Sequence, residues 1–367
     1  MLPHCTVKFT GPMRDAPERH ARRAARFALC ALALMSGFAP LARAADTDVS
    51  EAWRSTILEE NDSLYTHTDK HYTQGLRLAA LSPSLGPTSW TNDLFDWAQI
   101  FPTVFQPGGT RRVSLFLGQS IFTPTNLDIK PPDPHDRPYG GWLYSGASLL
   151  QETGNQLENL ELDLGVVGPG AFGKEVQNDW HQFIGIHQAR GWSSQIQNEP
   201  GGVLSYERLW RVPLPFLSSV HDGVENGVDI VPQLGGSGGN VFTYGQAGVL
   251  LRIGRHLEAD YGPVRIRPAL SGTDYFNPAH LDDELGYYLF AGAAGRVVAR
   301  NIFLDGNTFR QSASVEHKTF VGDLEAGVSA FWSRRVRLDL SMVRRTDEFV
   351  GQRRQDIIGT AALAFTW

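Results

Sequence analysis

The chain has 367 residues, with 33 Lys and Arg against 39 Asp and Glu and a formal net charge of −6. An acidic balance of this kind argues against nucleic acid as a partner. Mean hydropathy is −0.23, and nothing after the first 44 residues holds the roughly 18 uninterrupted apolar residues that a transmembrane helix needs.

Residues 1–44 read as a secretory leader. Arg14, Arg19, Arg22, Arg23 and Arg26 make a basic start, Phe27 to Phe38 a short apolar run, and Ala42-Arg43-Ala44 a small-x-small cleavage site. The expected cut follows Ala44. The Arg22-Arg23 pair lacks the surroundings of a twin-arginine signal, and Leu29 before Cys30 does not fit a lipoprotein. Both cysteines, Cys5 and Cys30, leave with the leader, so the remainder offers neither thiol chemistry nor a cysteine metal site. The leader carries a net +5, which leaves −11 on the mature part.

From there the dominant period is two. Strands are expected at 51–60, 73–82, 112–121, 139–151, 157–167, 202–212, 226–236, 241–253, 286–299, 312–321, 334–345 and 355–367, about twelve in all. Stretches 262–270, 301–310 and 324–333 are further candidates. Leu160, Leu162, Leu164 and Val166 alternate with Glu161, Asp163 and Gly165; Val336, Leu338, Leu340 and Met342 alternate with Arg337, Asp339 and Ser341. Glycine and proline sit at the ends of these runs, as turns require. No internal repeat or linker composition divides residues 45–367, which read as one domain.

Alternation alone also fits a periplasmic β-sandwich or a soluble barrel. The closing run, with Leu363, Phe365 and Trp367 on one face and Ala362, Ala364 and Thr366 on the other, points to lipid. So do Trp142, Tyr144, Tyr206, Trp210, Tyr287, Tyr288, Phe331 and Trp332 as girdle residues. The expected fold is all-β: a single closed antiparallel transmembrane β-barrel of about 12 strands. One loop breaks the rhythm. After Gly168-Pro169-Gly170, Lys174 to Arg190 has helical spacing (Val176, Trp180, Phe183, Ile184), with Gly191 as its stop. A helix in an extracellular loop, lying on the rim with its apolar side to barrel or lipid, is often functional.

Three places can carry chemistry. Glu59-Glu60-Asn61-Asp62 ends the first strand with oxygen donors suited to a hard cation such as Ca²⁺; a charged strand end is the plainer reading. Thr73 opens the second strand, beside the end of the first. His181 on the helix is the best general-base candidate, though a single helix histidine is more often structural. His187 lies six positions on, about 240° around an ideal helix, so the two do not share a face. Serine-hydrolase signals are weak: Gly235-Gly236-Ser237-Gly238-Gly239 comes nearest to a nucleophile elbow and lacks its strand–turn–helix setting.

Taken in order, several blocks resemble the LpxR family of outer-membrane lipid A 3′-O-deacylases. They are Asn61-Asp62, Thr68-Asp69-Lys70-His71-Tyr72-Thr73-Gln74-Gly75, Asp136-Arg137-Pro138-Tyr139, Gly165-Val166-Val167-Gly168-Pro169 and Glu175-Val176-Gln177-Asn178-Asp179-Trp180-His181, with Gly238-Gly239-Asn240 and Arg344 to Phe349 further on. The resemblance implies a twelve-stranded outer-membrane barrel that removes an ester-linked 3′ acyl or acyloxyacyl group from lipid A. It implies that Asp62, helped by Asn61, holds Ca²⁺, that His181 deprotonates a water, and that Thr73 orients the water or a metal ligand. Lys130 and Arg137 are what remains to meet lipid A phosphates. The chain departs from the family at His187, where a glutamate is common, and in how few basic residues separate the third and fourth strands. The expected partners are lipopolysaccharide and the bacterial outer membrane, with the chain acting as a monomer. An outer-membrane phospholipase with a serine nucleophile and a non-enzymatic pore or structural barrel are the competing functions.

Overall fold

The computed structural model describes residues 52–62, 69–101, 103–217, 219–221, 224–269, 273–277, 285–332 and 334–367. The expected leader lies outside them.

Among the described residues twelve long strands form the wall: β1 (Arg54–Asn61), β2 (His71–Leu81), β3 (Thr110–Thr123), β4 (Gly140–Thr153), β5 (Gln156–Val167), β6 (Glu199–Trp210), β7 (Val224–Gly239), β8 (Phe242–Arg255), β9 (Gly286–Asn301), β10 (Phe320–Trp332), β11 (Val336–Arg345) and β12 (Asp356–Thr366). Each pairs antiparallel with its neighbours in chain order. β1 closes the barrel on β12, with Arg54 opposite Thr366 and Asn61 opposite Gly359. Trp367 secures that seam: its backbone N–H donates to Trp53 O at 2.9 Å and its indole to Ser55 Oγ at 3.0 Å. Two short pieces, Val212–Pro213 and Ser219–His221, attach to the β7 end. Three helices accompany the wall: α1 (Asn92–Ala98), α2 (Gly173–Ile184) and α3 (Ile302–Asp305).

The alternation has the sense expected of a membrane barrel, inverted relative to a soluble one. On β11, Arg337, Asp339 and Ser341 are buried, whereas Leu340 and Met342 are exposed. Leu162, Leu164, Leu204, Leu234, Leu251 and Leu289 are likewise exposed around the circumference. In water this arrangement would be unfavourable on both counts. In a bilayer it places apolar side chains against hydrocarbon and polar ones against each other.

The lumen is filled. Residues 256–269 and 273–277, which follow β8, carry Asp260, Tyr261, Val264, Arg265, Ile266 and Tyr275 into it, all buried. Asp260 meets Arg252 and Arg337; Arg265 meets Glu60 and, at 3.3 Å, Glu325. Arg267 meets Glu207 at 2.8 Å and Glu161 at 3.3 Å, and Arg77 bridges Glu161 and Asp274. Pairs of this kind add little net stability, but breaking one strands a buried charge, so they fix the segment in place. Among the described residues the lumen is packed and is not a water-filled channel.

Three strand expectations are corrected. Stretch 262–270 alternates Val264 and Ile266 with Arg265 and Arg267, but its partners are lumenal carboxylates and not a neighbouring strand. Stretch 301–310 opens with α3, whose start is capped by Asn301 Oδ1 accepting from Phe303 N at 3.1 Å. Residues 312–321 are mostly loop, and the tenth wall strand is Phe320–Trp332.

Leu162 sits midway along β5 on the outer face. Leu162→Arg is expected to destabilise the barrel in lipid vesicles by about 2–4 kcal/mol, the cost of a cation near the bilayer midplane. A urea midpoint in vesicles reads it. An unchanged midpoint would mean that this face meets water.

Candidate active site on the outer rim

The long loop after β5 is shaped by close approaches. The α2 N-terminus rests on β4 because Gly141 and Gly173 lack side chains: a Cβ on Gly173 would lie 2.8 Å from the Trp192 ring, and one on Gly141 would lie 3.1 Å from Ala171 Cβ. The helix stops at Gly185, in the left-handed region at φ 77°, and not at Gly191 as expected. A glycine in that conformation ends a helix wherever it falls. His187 is therefore outside the helix.

On α2, Gln177 and His181 lie one turn apart and are both buried, while Trp180, Phe183 and Ile184 are 54 %, 80 % and 46 % exposed. Gln177 and His181 face the wall, while the outward surface divides into an apolar strip of Trp180, Phe183 and Ile184 and a polar strip of Lys174, Glu175, Asp179 and Gln182, as in a helix at a lipid–water boundary. The outward option of the sequence reading is the one realised.

His181 is held from both ring nitrogens. Nδ1 lies 2.6 Å from the His187 backbone carbonyl, which only accepts, so Nδ1 carries a proton. Nε2 lies 2.5 Å from Asp69 Oδ2. A proton lies between that nitrogen and the carboxylate, an arrangement that favours the imidazolium. The hydrogen bond to Asp69 holds its pKa above the ordinary imidazole value; burial opposes the shift and the His187 carbonyl adds to it. Gln177 Nε2 donates to the same Asp69 oxygen at 2.8 Å, and Trp192 Nε1 donates to Gln177 Oε1 at 2.8 Å.

The chain of contacts continues onto the wall. Thr123 Oγ1 reaches the Asp69 carbonyl at 3.5 Å and Thr73 Oγ1 at 2.6 Å. Thr73 is the residue bulged out of the β2–β3 register, between Tyr72 and Gln74. Asp62, buried at the end of β1, accepts from the backbone N–H of Lys70, next to Asp69, at 2.8 Å. Asn61 stands opposite Gln74. His181, Thr73 and Asp62 are thus linked through Asp69–Lys70.

The two candidate phosphate ligands are not brought here. Arg137 is fully buried, paired with Glu348 at 2.9 Å and lying over the Phe122 ring. Lys130 is exposed in the β3–β4 loop. His187 contributes its main chain. Asp69 and Gln177 were missed as site residues. Gln177 had a readable signal, standing four positions before His181 and so on the same helical face; Asp69 had only its place in a matched block.

Among the described residues, no group of three or more His, Cys, Asp and Glu side chains gathers to hold a metal. The donors near Asp62 are hard oxygens, and Asp69 Oδ1 is buried without a hydrogen-bond partner. Asp62 and Asn61 carry oxygen donors of the kind Ca²⁺ prefers, and the Asn61 side chain also hydrogen-bonds Glu59.

A closed, plugged antiparallel barrel with an apolar outer belt and a histidine–carboxylate pair on its outer rim defines an outer-membrane protein with a site facing the lipid. Comparison places it further. The family model described as Outer membrane protein LpxR matches residues 27–367, and the chain belongs to that family. LpxR from Salmonella typhimurium is similar in structure at a TM-score of 0.65 and 24 % identity, covering 86 % of this chain and 100 % of that one. The β domain of the Bordetella autotransporter BrkA aligns at a TM-score of 0.40 and 13 % identity, covering 86 % and 99 %. No curated protein matches the chain.

Asp69→Asn removes the carboxylate that favours the imidazolium. The His181 titration is then expected to move to lower pH, as read by NMR of the ring in cation-free protein. The sign for stability follows. The pair contributes fully below about pH 6.5, the unfolded value, and the contribution fades as pH rises through the raised folded value. An unmoved titration would mean that Asp69 does not hold the proton.

Proposed function

We propose that the protein is an outer-membrane ester hydrolase that removes a 3′ acyl or acyloxyacyl group from lipid A. The observation that carries this reading is the His181–Asp69 pair, set on the outer wall at the rim beside Thr73 and Asp62, under a helix whose apolar side faces lipid. An ester that stays in its own leaflet can reach such a site without entering the lumen.

In this reading His181 works once its Nε2 proton is gone. Asp69 Oδ2 gives up Nε2 to a water; Nε2 then takes the water's proton, the water oxygen attacks the ester carbonyl, and the imidazolium returns the proton to the departing sugar oxygen. The His187 carbonyl keeps the other proton on Nδ1, so the lone pair stays on Nε2. Asp69, held by Gln177, covers Nε2 in the resting site and its charge favours the protonated ring. Thr73 and Thr123 support the Asp69 main chain and offer hydroxyls to the water. Asp62 and Asn61 are the residues to hold Ca²⁺, which when bound supplies Lewis-acid stabilisation of the developing oxyanion. The family membership and the lipid-facing position support lipid A as the substrate. A serine nucleophile has less support: the ring nitrogens of His181 meet Asp69 and a backbone carbonyl, not a hydroxyl.

His181→Ala is expected to lower release of fatty acid from lipid A by about 10²–10⁴-fold, the usual worth of a general base, with the barrel still folded. Asp62→Ala, or chelator added to the native protein, is expected to abolish release. Mass spectrometry of lipid A with purified protein, with and without Ca²⁺, is the test. Unchanged release by His181→Ala sinks the base; full activity of Asp62→Ala in chelator sinks the metal role.

A further inference from the structure

The segment joining β2 to β3 does not hang below the barrel. It folds back onto the outer wall. Phe95, Ala98, Val104 and Phe105 are buried against Val113, Leu149, Leu160 and Tyr206, on the outer faces of β3 to β6. The seam also has a polar lock: Glu158 accepts from Phe105 N at 3.2 Å and from the Tyr206 hydroxyl at 2.5 Å, and Gln151 Nε2 donates to the Gln106 carbonyl at 2.7 Å. The strap is therefore held at a fixed height beside the wall.

Its other side is bare. Trp90, Leu94, Trp97, Ile100 and Phe101 are exposed. The helical turns of α1 extend past both ends, through Asp93 N to Trp90 O and Phe101 N to Ala98 O, each 3.2 Å. At 3.6 residues per turn Trp90, Leu94, Trp97 and Phe101 share one face. The buried face holds Phe95 and Ala98, and a third side carries Asp93 and Asp96, the latter paired with Arg111 at 3.0 Å. So large a contiguous apolar face does not belong in water.

We propose that this face is an interfacial anchor seated in the phospholipid leaflet at the end of the barrel where both termini of the wall lie. Three observations select lipid over a protein partner. The strap lies on the same outer wall as the exposed belt residues Leu115, Leu162 and Leu204, so its bare face continues a surface already in hydrocarbon. Two tryptophans among its five large side chains suit the boundary between headgroups and acyl chains. The strap's own charges are the carboxylates Asp93 and Asp96, and the wall arginines that meet it, Arg111 and Arg208, are engaged by Asp96 and Glu158, so attachment rests on apolar insertion and not on attraction to anionic headgroups. With the wall below β3 to β6 pinned at that depth, the rim carrying α2 is held level with the opposite leaflet. The inference does not depend on what reaction the rim performs.

The test uses the full chain in phosphatidylethanolamine–phosphatidylcholine vesicles. Emission of the Trp90→Phe/Trp97→Phe double variant, which keeps the face apolar, is subtracted from that of the native protein. The expected difference spectrum is blue-shifted, loses most of its intensity with lipid brominated high on the acyl chain, and resists aqueous acrylamide. A red-shifted difference quenched by acrylamide and untouched by brominated lipid would overturn the proposal. A blue-shifted difference that neither quencher reaches, with strap-to-strap cross-links, would give the face to a second copy and overturn it equally.

Discussion

A strand in hydrocarbon has no water to satisfy its backbone, so the wall has to close on itself. The pairing of β1 with β12 is therefore the contact on which the rest depends. Closure fixes register, and register fixes which side of each strand looks inward. Once Arg54 faces Thr366, Glu60, Arg77, Glu161, Arg337 and Asp339 all fall inside, where their charges must find one another. The same step puts Leu162, Leu204 and Leu340 outside. The seam also places the end of β1 beside the start of β2, bringing Asp62 and Thr73 within reach of one loop.

Filling the lumen with ion pairs then decides where chemistry can happen. Residues 256–269 and 273–277 occupy the interior and their arginines are already matched, so among the described residues the lumen is packed. The outer rim is what remains, and it is there that polar groups break the apolar surface. Glycines at 141 and 173 let α2 lie directly on β4, and the left-handed Gly185 turns the chain so that the His187 carbonyl points back at His181. The site is thus a consequence of backbone contacts that side chains would have prevented.

Much of this was legible in the amino-acid order because period-two patterning survives inversion: Leu338, Leu340 and Met342 alternate with Arg337 and Asp339 whichever side faces the core. Eleven of the twelve expected strands overlap a wall strand along most of their length. The failures share a cause. Val264 and Ile266 alternate with Arg265 and Arg267 as a strand would, but a plug threading an ion-lined lumen meets the same two environments, and no local signal separates the cases. Gly191 looked able to stop the helix, but Gly185 takes the left-handed conformation first, and Gly191 instead packs against Tyr139. Arg137 was picked for its charge, yet a guanidinium beside Phe122 with Glu348 in reach is structural, and Glu348 is 211 positions away. Asp69 was hidden for the related reason that its partner, on α2, is distant in sequence.

The arrangement around His181 explains why the helix looks inside out. A soluble helix would bury Trp180, Phe183 and Ile184 and leave Gln177 and His181 in water, where an imidazolium–carboxylate pair is weak. Lipid on the apolar side and a polar rim on the other reverse this. The bilayer takes up the aromatic side chains, and the pair with Asp69 is left in a partly dry setting where its hydrogen bonds count for more. The same logic governs the strap on β3 to β6, which hides Phe95 and Phe105 against the wall and leaves Trp90 and Trp97 outside. In both elements the surrounding lipid is what makes the sequence pattern consistent with its fold. The site is therefore expected to keep its geometry only while the barrel is bathed in amphiphile.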